Sequence, residues 1–157
     1  MRRRAGLPRS GRLGLTIDLR LLDHLRAFDT PTICNALELV APEQRGVGFS
    51  SRPFVAAFPA MPPIVGFART ATIRARARPE MPPAELKALR LAYYEYVASP
   101  PGPTITVLQD LDPEPGYGAF WGEVNTAVHK GLGVLGCITN GSIRDLDMIA
   151  TDFQLLA

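Results

Sequence analysis

Two short β-branched runs, Thr104–Gln109 (TITVLQ) and Val134–Thr139 (VLGCIT), bracket a stretch that reads as helix, and this constrains the fold more than any other feature. An apolar run of six residues bounded by turn formers is a buried strand. Two such strands joined through a helix are parallel neighbours, because a tight turn cannot bring parallel strands together. The same alternation is visible upstream. Ile64 to Ala77 (IVGFARTATIRARA) alternates Ala71, Ile73, Ala75 and Ala77 with Thr70, Thr72, Arg74 and Arg76, as a half-exposed strand does. Pro82-Pro83 then opens a helix in which Leu86, Leu89, Tyr93, Tyr96 and Val97 keep helical spacing, with the tyrosines read as core or interface anchors. The expectation is an α/β domain with a largely parallel central portion.

The remaining elements are shorter. Leu21, Leu25 and Phe28 mark one apolar helical face within Asp18–Phe28, and His24 there reads as a surface or packing residue. Thr30 is placed to cap a second helix, with Pro31 at its first position, running to about Val40. Ala41 to Pro63 reads as a long irregular connection. Asp110 to Gly116 reads as a solvated acidic turn, because its carboxylates lack calcium-loop spacing. Gly118 to Lys130 is expected to be a helix with Phe120, Val124, Ala127 and Val128 on one face, stopped by Gly131-Leu-Gly133. After the strand, Asn140-Gly141 turns into a helix entry where Ser142 and Asp145 fit a capping box. Asp152 to Ala157 begins a last apolar segment.

The 157 residues suit one domain, and a hydrophobic share of 46% against 20% charged is that of an ordinary globular protein. No run approaches the roughly 18 apolar residues that span a bilayer, so no membrane association is expected. Five arginines (Arg2, Arg3, Arg4, Arg9 and Arg12) precede the first acid, giving a basic flexible tail over residues 1–15 ahead of a domain over 16–157. Arginines 69, 74, 76 and 78 are explained by a solvated sheet face, and no aromatic interleaving supports nucleic acid as a partner. Cys34 and Cys137 form no paired motif, and with two histidines they do not make a zinc site. The cytoplasm is the expected compartment.

Gly131, Gly133 and Gly136 spell GxGxxG, but here the motif leaves a helix and enters a strand, the reverse of a dinucleotide site. The chemistry concentrates instead at the two joints around that strand. Gly122-Glu-Val-Asn125 lies early in a helix, where free backbone N–H groups can hold an anion. Arg144 can grip a carboxylate with its forked guanidinium. Asp145 offers one hard oxygen ligand, which suits a magnesium ion that keeps its waters and takes further ligands from a 2-oxo acid. Beside this stands a plainer possibility, with Asp145 as the partner of Ser142 in a cap, Arg144 as a solvent residue and Glu123 as a surface helix residue.

WGEVNTAVHKGLGVLGCITNGSIRDLD resembles the signature of the RraA-like family, which includes class II 4-hydroxy-4-methyl-2-oxoglutarate aldolases. That signature is an acidic residue, twenty intervening residues, then Arg-Asp; Glu123, Arg144 and Asp145 match it. FDTPTICNAL and GFARTATI also resemble the family's N-terminal portion, so the likeness spans most of 18 to 157. The resemblance implies an α/β swivelling sandwich, a mixed central sheet flanked by helices, with the C-terminal strands missing after Ala157. It implies that Gly122, Glu123, Val124 and Asn125 line the substrate, that Arg144 binds its carboxylate, that Asp145 holds a divalent cation (Mg2+ or Mn2+), and that Glu123 orders the water for proton transfer. The implied activity is a lyase acting on a small 2-oxo acid, by aldol cleavage or oxaloacetate decarboxylation to pyruvate through a metal-stabilised enolate, in a homotrimer or hexamer. The family also holds a non-catalytic branch that binds and inhibits a ribonuclease, and an inactive fragment is the remaining alternative.

Overall fold

The four strands of the sheet lie side by side in the order in which the chain makes them. The computed structural model describes residues 17–157; the basic tail expected over 1–15 lies outside them. Strands β1 (Phe67–Ile73), β2 (Thr104–Asp110), β3 (Val134–Thr139) and β4 (Gln154–Leu156) are all parallel. Among the described residues, the antiparallel component of the expected mixed sheet is confined to residues 55–57. There Val55 N–H donates to the Ala157 carbonyl at 2.8 Å, and Ala57 N–H to that of Leu155 at 2.9 Å, along the free side of β4.

Among the described residues four helices accompany the sheet: α1 (Leu19–Leu25), α2 (Thr30–Val40), α3 (Pro83–Ala98) and α4 (Glu123–Gly131). Helices α3 and α4 make the β1–β2 and β2–β3 crossovers. The core forms on one sheet face, where Leu108, Val134, Cys137 and Leu155 meet Val97 of α3, Trp121 and Phe153. By contrast α2 buries none of its side chains and leaves Leu37, Leu39 and Val40 exposed.

Several elements differ from expectation, each for a local reason. Helix α1 has only seven residues, so Phe28 falls beyond its end, and Leu22 rather than Leu21 turns inward. Asp29, not Thr30, caps α2, because its carboxylate accepts the Thr32 N–H at 2.9 Å. Strand β1 stops at Ile73 because the Ala75 and Arg76 amides donate to Asp112 Oδ2, at 2.9 and 2.6 Å, instead of extending the ladder. Asp110 and Asp112 are therefore buried backbone anchors, not a solvated turn. Arg69 is buried as well, donating to the carbonyls of Ser99 and Pro101 that follow α3.

Helix α4 begins at Glu123, five residues later than its apolar pattern suggests, because Trp121 instead pairs with Ile143 in a parallel bridge. Its buried residues are Thr126 and His129, while Val124 points to solvent. That inward face is polar because its side chains are hydrogen-bonded within the fold. The expected helix at Ser142 is replaced by a single 3-10 turn, Leu146–Met148. The Ser142 hydroxyl donates to the Gly116 carbonyl, so the capping box does not form.

Candidate active site

The stretch after β3 runs alongside α4 and is fastened to it at successive points. Arg144 N–H donates to the Trp121 carbonyl at 2.9 Å. One residue further along both segments, Gly122 meets Asp145. A Cβ built on Gly122 would lie 2.6 Å from Asp145 Oδ2, 2.9 Å from Arg144 Cγ and 3.2 Å from Arg144 Nε. Further on, Ala150 N–H donates to Thr126 Oγ1 at 3.2 Å, and Lys130 Nζ donates to the Thr151 carbonyl. The two joints singled out by sequence are thus one place in space.

Within it, Arg144 Nε stands 3.5 Å from Asp145 Oδ2, and the two side chains are 63% and 43% exposed. An ion pair this open contributes little to stability, so it is available to a ligand. Asp145 adopts the left-handed conformation (φ 56°, ψ 41°), and its carbonyl accepts Met148 N–H at 2.8 Å. A non-glycine residue held there is uncommon, and such residues gather at functional sites. The cap explanation of Asp145 is removed, because its side chain makes no cap hydrogen bond.

Glu123 is the first residue of α4 and is exposed. Gly122 supplies no side-chain cap, so no capping side chain claims the amides of the first turn. Asn125 is committed otherwise: its Nδ2 donates to the Phe120 carbonyl at 2.6 Å and shapes the loop entering the helix. Val124 shares the first turn but is exposed.

Two supporting groups escaped the sequence reading. Asp110 Oδ1 accepts the Asp112 N–H at 2.9 Å, and Oδ2 accepts the Gly116 N–H at 2.8 Å. Gly116 in turn takes the Ser142 hydroxyl, so this carboxylate fixes the approach to Arg144. The Asp-x-Asp spacing before Pro and Gly is the turn signal that could have found it. The second is His129, fully buried with its ring centroid 4.6 Å from that of Trp121. Its Nδ1 lies 2.6 Å from the Asn125 carbonyl, which can only accept, so Nδ1 carries the proton and Nε2 accepts the Tyr93 hydroxyl at 2.8 Å. Burial pushes the imidazole below its ordinary range, against the opposing pull of the Asn125 carbonyl.

Among the described residues no group of three or more His, Cys, Asp or Glu side chains could hold a metal. The donor set that does fit is smaller: one exposed carboxylate, Asp145, beside a glycine whose missing Cβ leaves space at Oδ2. That suits a hard cation keeping most of its waters. The site is an open joint. The hollows of about 220 and 190 Å³ lie elsewhere, lined by residues such as Phe54 and Ile138 in one and Leu25 and Phe28 in the other.

Residues 30–157 match the RraA-like family (Aldolase/RraA). Among solved structures, the chain is similar to a protein described among novel cellulases from gut-associated microbes, with 19% identity and a TM-score of 0.60 over 90% of this chain and 59% of that one. It is also similar to Streptomyces coelicolor RraAS2, described as an unusual member of the RNase ES inhibitor RraA family, with 21% identity and a TM-score of 0.55 over 89% of this chain and 62% of that one. The chain thus spans about three-fifths of the length of either structure, and at these identities the likeness is one of fold. No curated protein matches it.

Proposed function

The chain belongs to the RraA-like family, and from that premise we propose that it is a divalent-metal-dependent lyase acting on a small 2-oxo acid. The reaction is cleavage of 4-hydroxy-4-methyl-2-oxoglutarate or decarboxylation of oxaloacetate, with release of pyruvate. The observation that carries this reading is the packing of Gly122 against both Arg144 and Asp145 at the uncapped start of α4. It brings a guanidinium, a carboxylate and the start of a helix together, which supports a site for an oxo acid and a cation.

Arg144 binds the substrate carboxylate through its forked guanidinium. The backbone of Gly122–Asn125 lines the substrate, its amides facing the oxygens. Asp145 would hold Mg2+ or Mn2+, and the ion would supply a Lewis acid for the charge that C–C cleavage leaves on the oxo acid. Glu123, exposed at the same turn, orders the water that delivers or removes the proton. The working form is a homotrimer or hexamer in the cytoplasm. No helix among the described residues is long and apolar enough to cross a membrane.

A second reading has its own support: a non-catalytic regulator that binds another protein, using the apolar residues that α2 leaves exposed. A pyruvate-release assay separates the two. The lyase reading expects turnover of oxaloacetate or the hydroxy-oxo acid with Mg2+ or Mn2+, abolished by EDTA, and a raised KM in Arg144→Lys. Absence of pyruvate from both substrates in the presence of either metal rejects it.

A further inference from the structure

The left-handed conformation of Asp145 is not fixed by Asp145 itself. Its side chain makes no cap hydrogen bond, and the short turn that follows is closed only by Met148 N–H to its carbonyl. Thr126 pins that turn to α4 from inside the fold, with the Lys130 ammonium on the Thr151 carbonyl just beyond it. Thr126 is fully buried. Its hydroxyl proton faces the carbonyls of Gly122 and Glu123, at 2.9 and 3.0 Å, while its oxygen accepts the Ala150 N–H at 3.2 Å. One hydroxyl therefore joins the start of α4, where Gly122 and Glu123 stand, to the far end of the turn that begins at Asp145.

We infer that Thr126 is a positioning residue, which sets the Asp145 carboxylate and the Arg144 guanidinium against Gly122. It touches neither substrate nor metal in this scheme and acts through the segment it pins. Without the hydroxyl, Ala150 N–H loses its partner inside the fold, an unfavourable state that the segment relieves by swinging out to water. The segment is held at its other end by Arg144 N–H on the Trp121 carbonyl. With Lys130 still on the Thr151 carbonyl beyond Ala150, the segment bows outward between these two fastenings and displaces the Arg144 and Asp145 side chains. The helix itself keeps its first turn, because Thr126 N–H donates independently to the Gly122 carbonyl at 3.0 Å.

The inference rests on reading Arg144 and Asp145 as the ligand-binding pair, and the test separates the two. In the full chain, Thr126→Val keeps the shape and removes the hydroxyl, whereas Thr126→Ser keeps the hydroxyl. Amide exchange at Met148 and Ala150 reports the pin alone. It is expected to speed up by about tenfold in the valine variant, the upper end for one net hydrogen bond, and to recover in the serine variant. Mn2+ affinity, followed by electron paramagnetic resonance, is expected to weaken by about tenfold in Thr126→Val, with kcat/KM for oxaloacetate falling alongside, mostly through KM. The serine variant restores both. Wild-type exchange rates in the valine variant overturn the inference, as does a serine variant no better than the valine one. Faster exchange with Mn2+ affinity and KM unchanged overturns it too, since the pin then serves stability only. If wild-type protein binds no Mn2+ and releases no pyruvate, the lyase reading itself fails and the inference that rests on it falls too, whereas wild-type binding and turnover that Thr126→Val leaves untouched overturn the inference alone.

Discussion

Gly122 and Asp145 are packed so closely that a single methyl group on Gly122 would sit 2.6 Å from the Asp145 carboxylate. The Gly122 backbone is extended, at φ −168°, a conformation open to any residue, so the requirement for glycine here is one of space. Gly118 is different, because a Cβ there would collide with the backbone of Ala75. Gly122→Ala displaces side chains that can swing into solvent and is expected to lose less stability than Gly118→Ala, while eliminating oxo acid binding. Gly118→Ala must move main chain and is expected to lose about 1–3 kcal/mol. Urea unfolding and calorimetric titration with oxaloacetate check both, and equal stability losses in the two variants would contradict this division.

Asp145 combines a charge with an unusual backbone conformation, and two substitutions separate them. Asparagine tolerates the left-handed region, so Asp145→Asn should unfold at the wild-type urea midpoint, whereas Asp145→Ala should be about 1 kcal/mol less stable. Both should lose metal-dependent pyruvate release. Full activity in Asp145→Asn would remove the cation from this residue.

His129 predicts how stability responds to acid. Its folded pKa lies below the ordinary value of about 6.5, so between the two the unfolded chain binds more protons than the folded one. Its contribution is fully present above pH 6.5 and is lost as pH falls through the folded value. Denaturant unfolding between pH 7.5 and 5 should show that decline, and His129→Gln should flatten it. An equal slope in both proteins would place the proton uptake elsewhere.

The two thiols should differ sharply. Cys34 is exposed, whereas Cys137 is buried in the core, where desolvation pushes its pKa well above the usual thiol range. A thiol reagent should label one cysteine quickly in the native protein and the second only on unfolding. Rapid double labelling would mean that β3 opens readily.

Strands β2 and β3 were legible because short β-branched runs between turn residues have few other solutions. Glu123, Arg144 and Asp145 were legible as a spacing, and through family resemblance as a candidate site. What sequence did not reveal depends on partners far away along the chain. Strand β1 ends where Asp112 captures two amides, and Ser142 serves Gly116 instead of a helix. Hydrophobic periodicity also misplaced the inner face of α4, since Thr126 and His129 are buried for their hydrogen bonds. That Gly122 abuts Asp145 follows from none of these patterns. It needs the parallel pairing of Trp121 with Ile143.

The order of strands in the sheet matches their order in the chain, and this has a consequence for assembly. Each strand can add beside one already made, so β1 to β3 need nothing downstream to find their register. The core is another matter: Phe153 and Leu155, both fully buried, arrive with the last strand, and the Phe153 ring lies against Trp121 with centroids 5.8 Å apart. Arg144 and Asp145 sit between β3 and β4, so they stay untethered on one side until that strand docks. The site then takes its shape only once β4 is in place, and a nascent chain lacking β4 would carry these side chains without yet holding them.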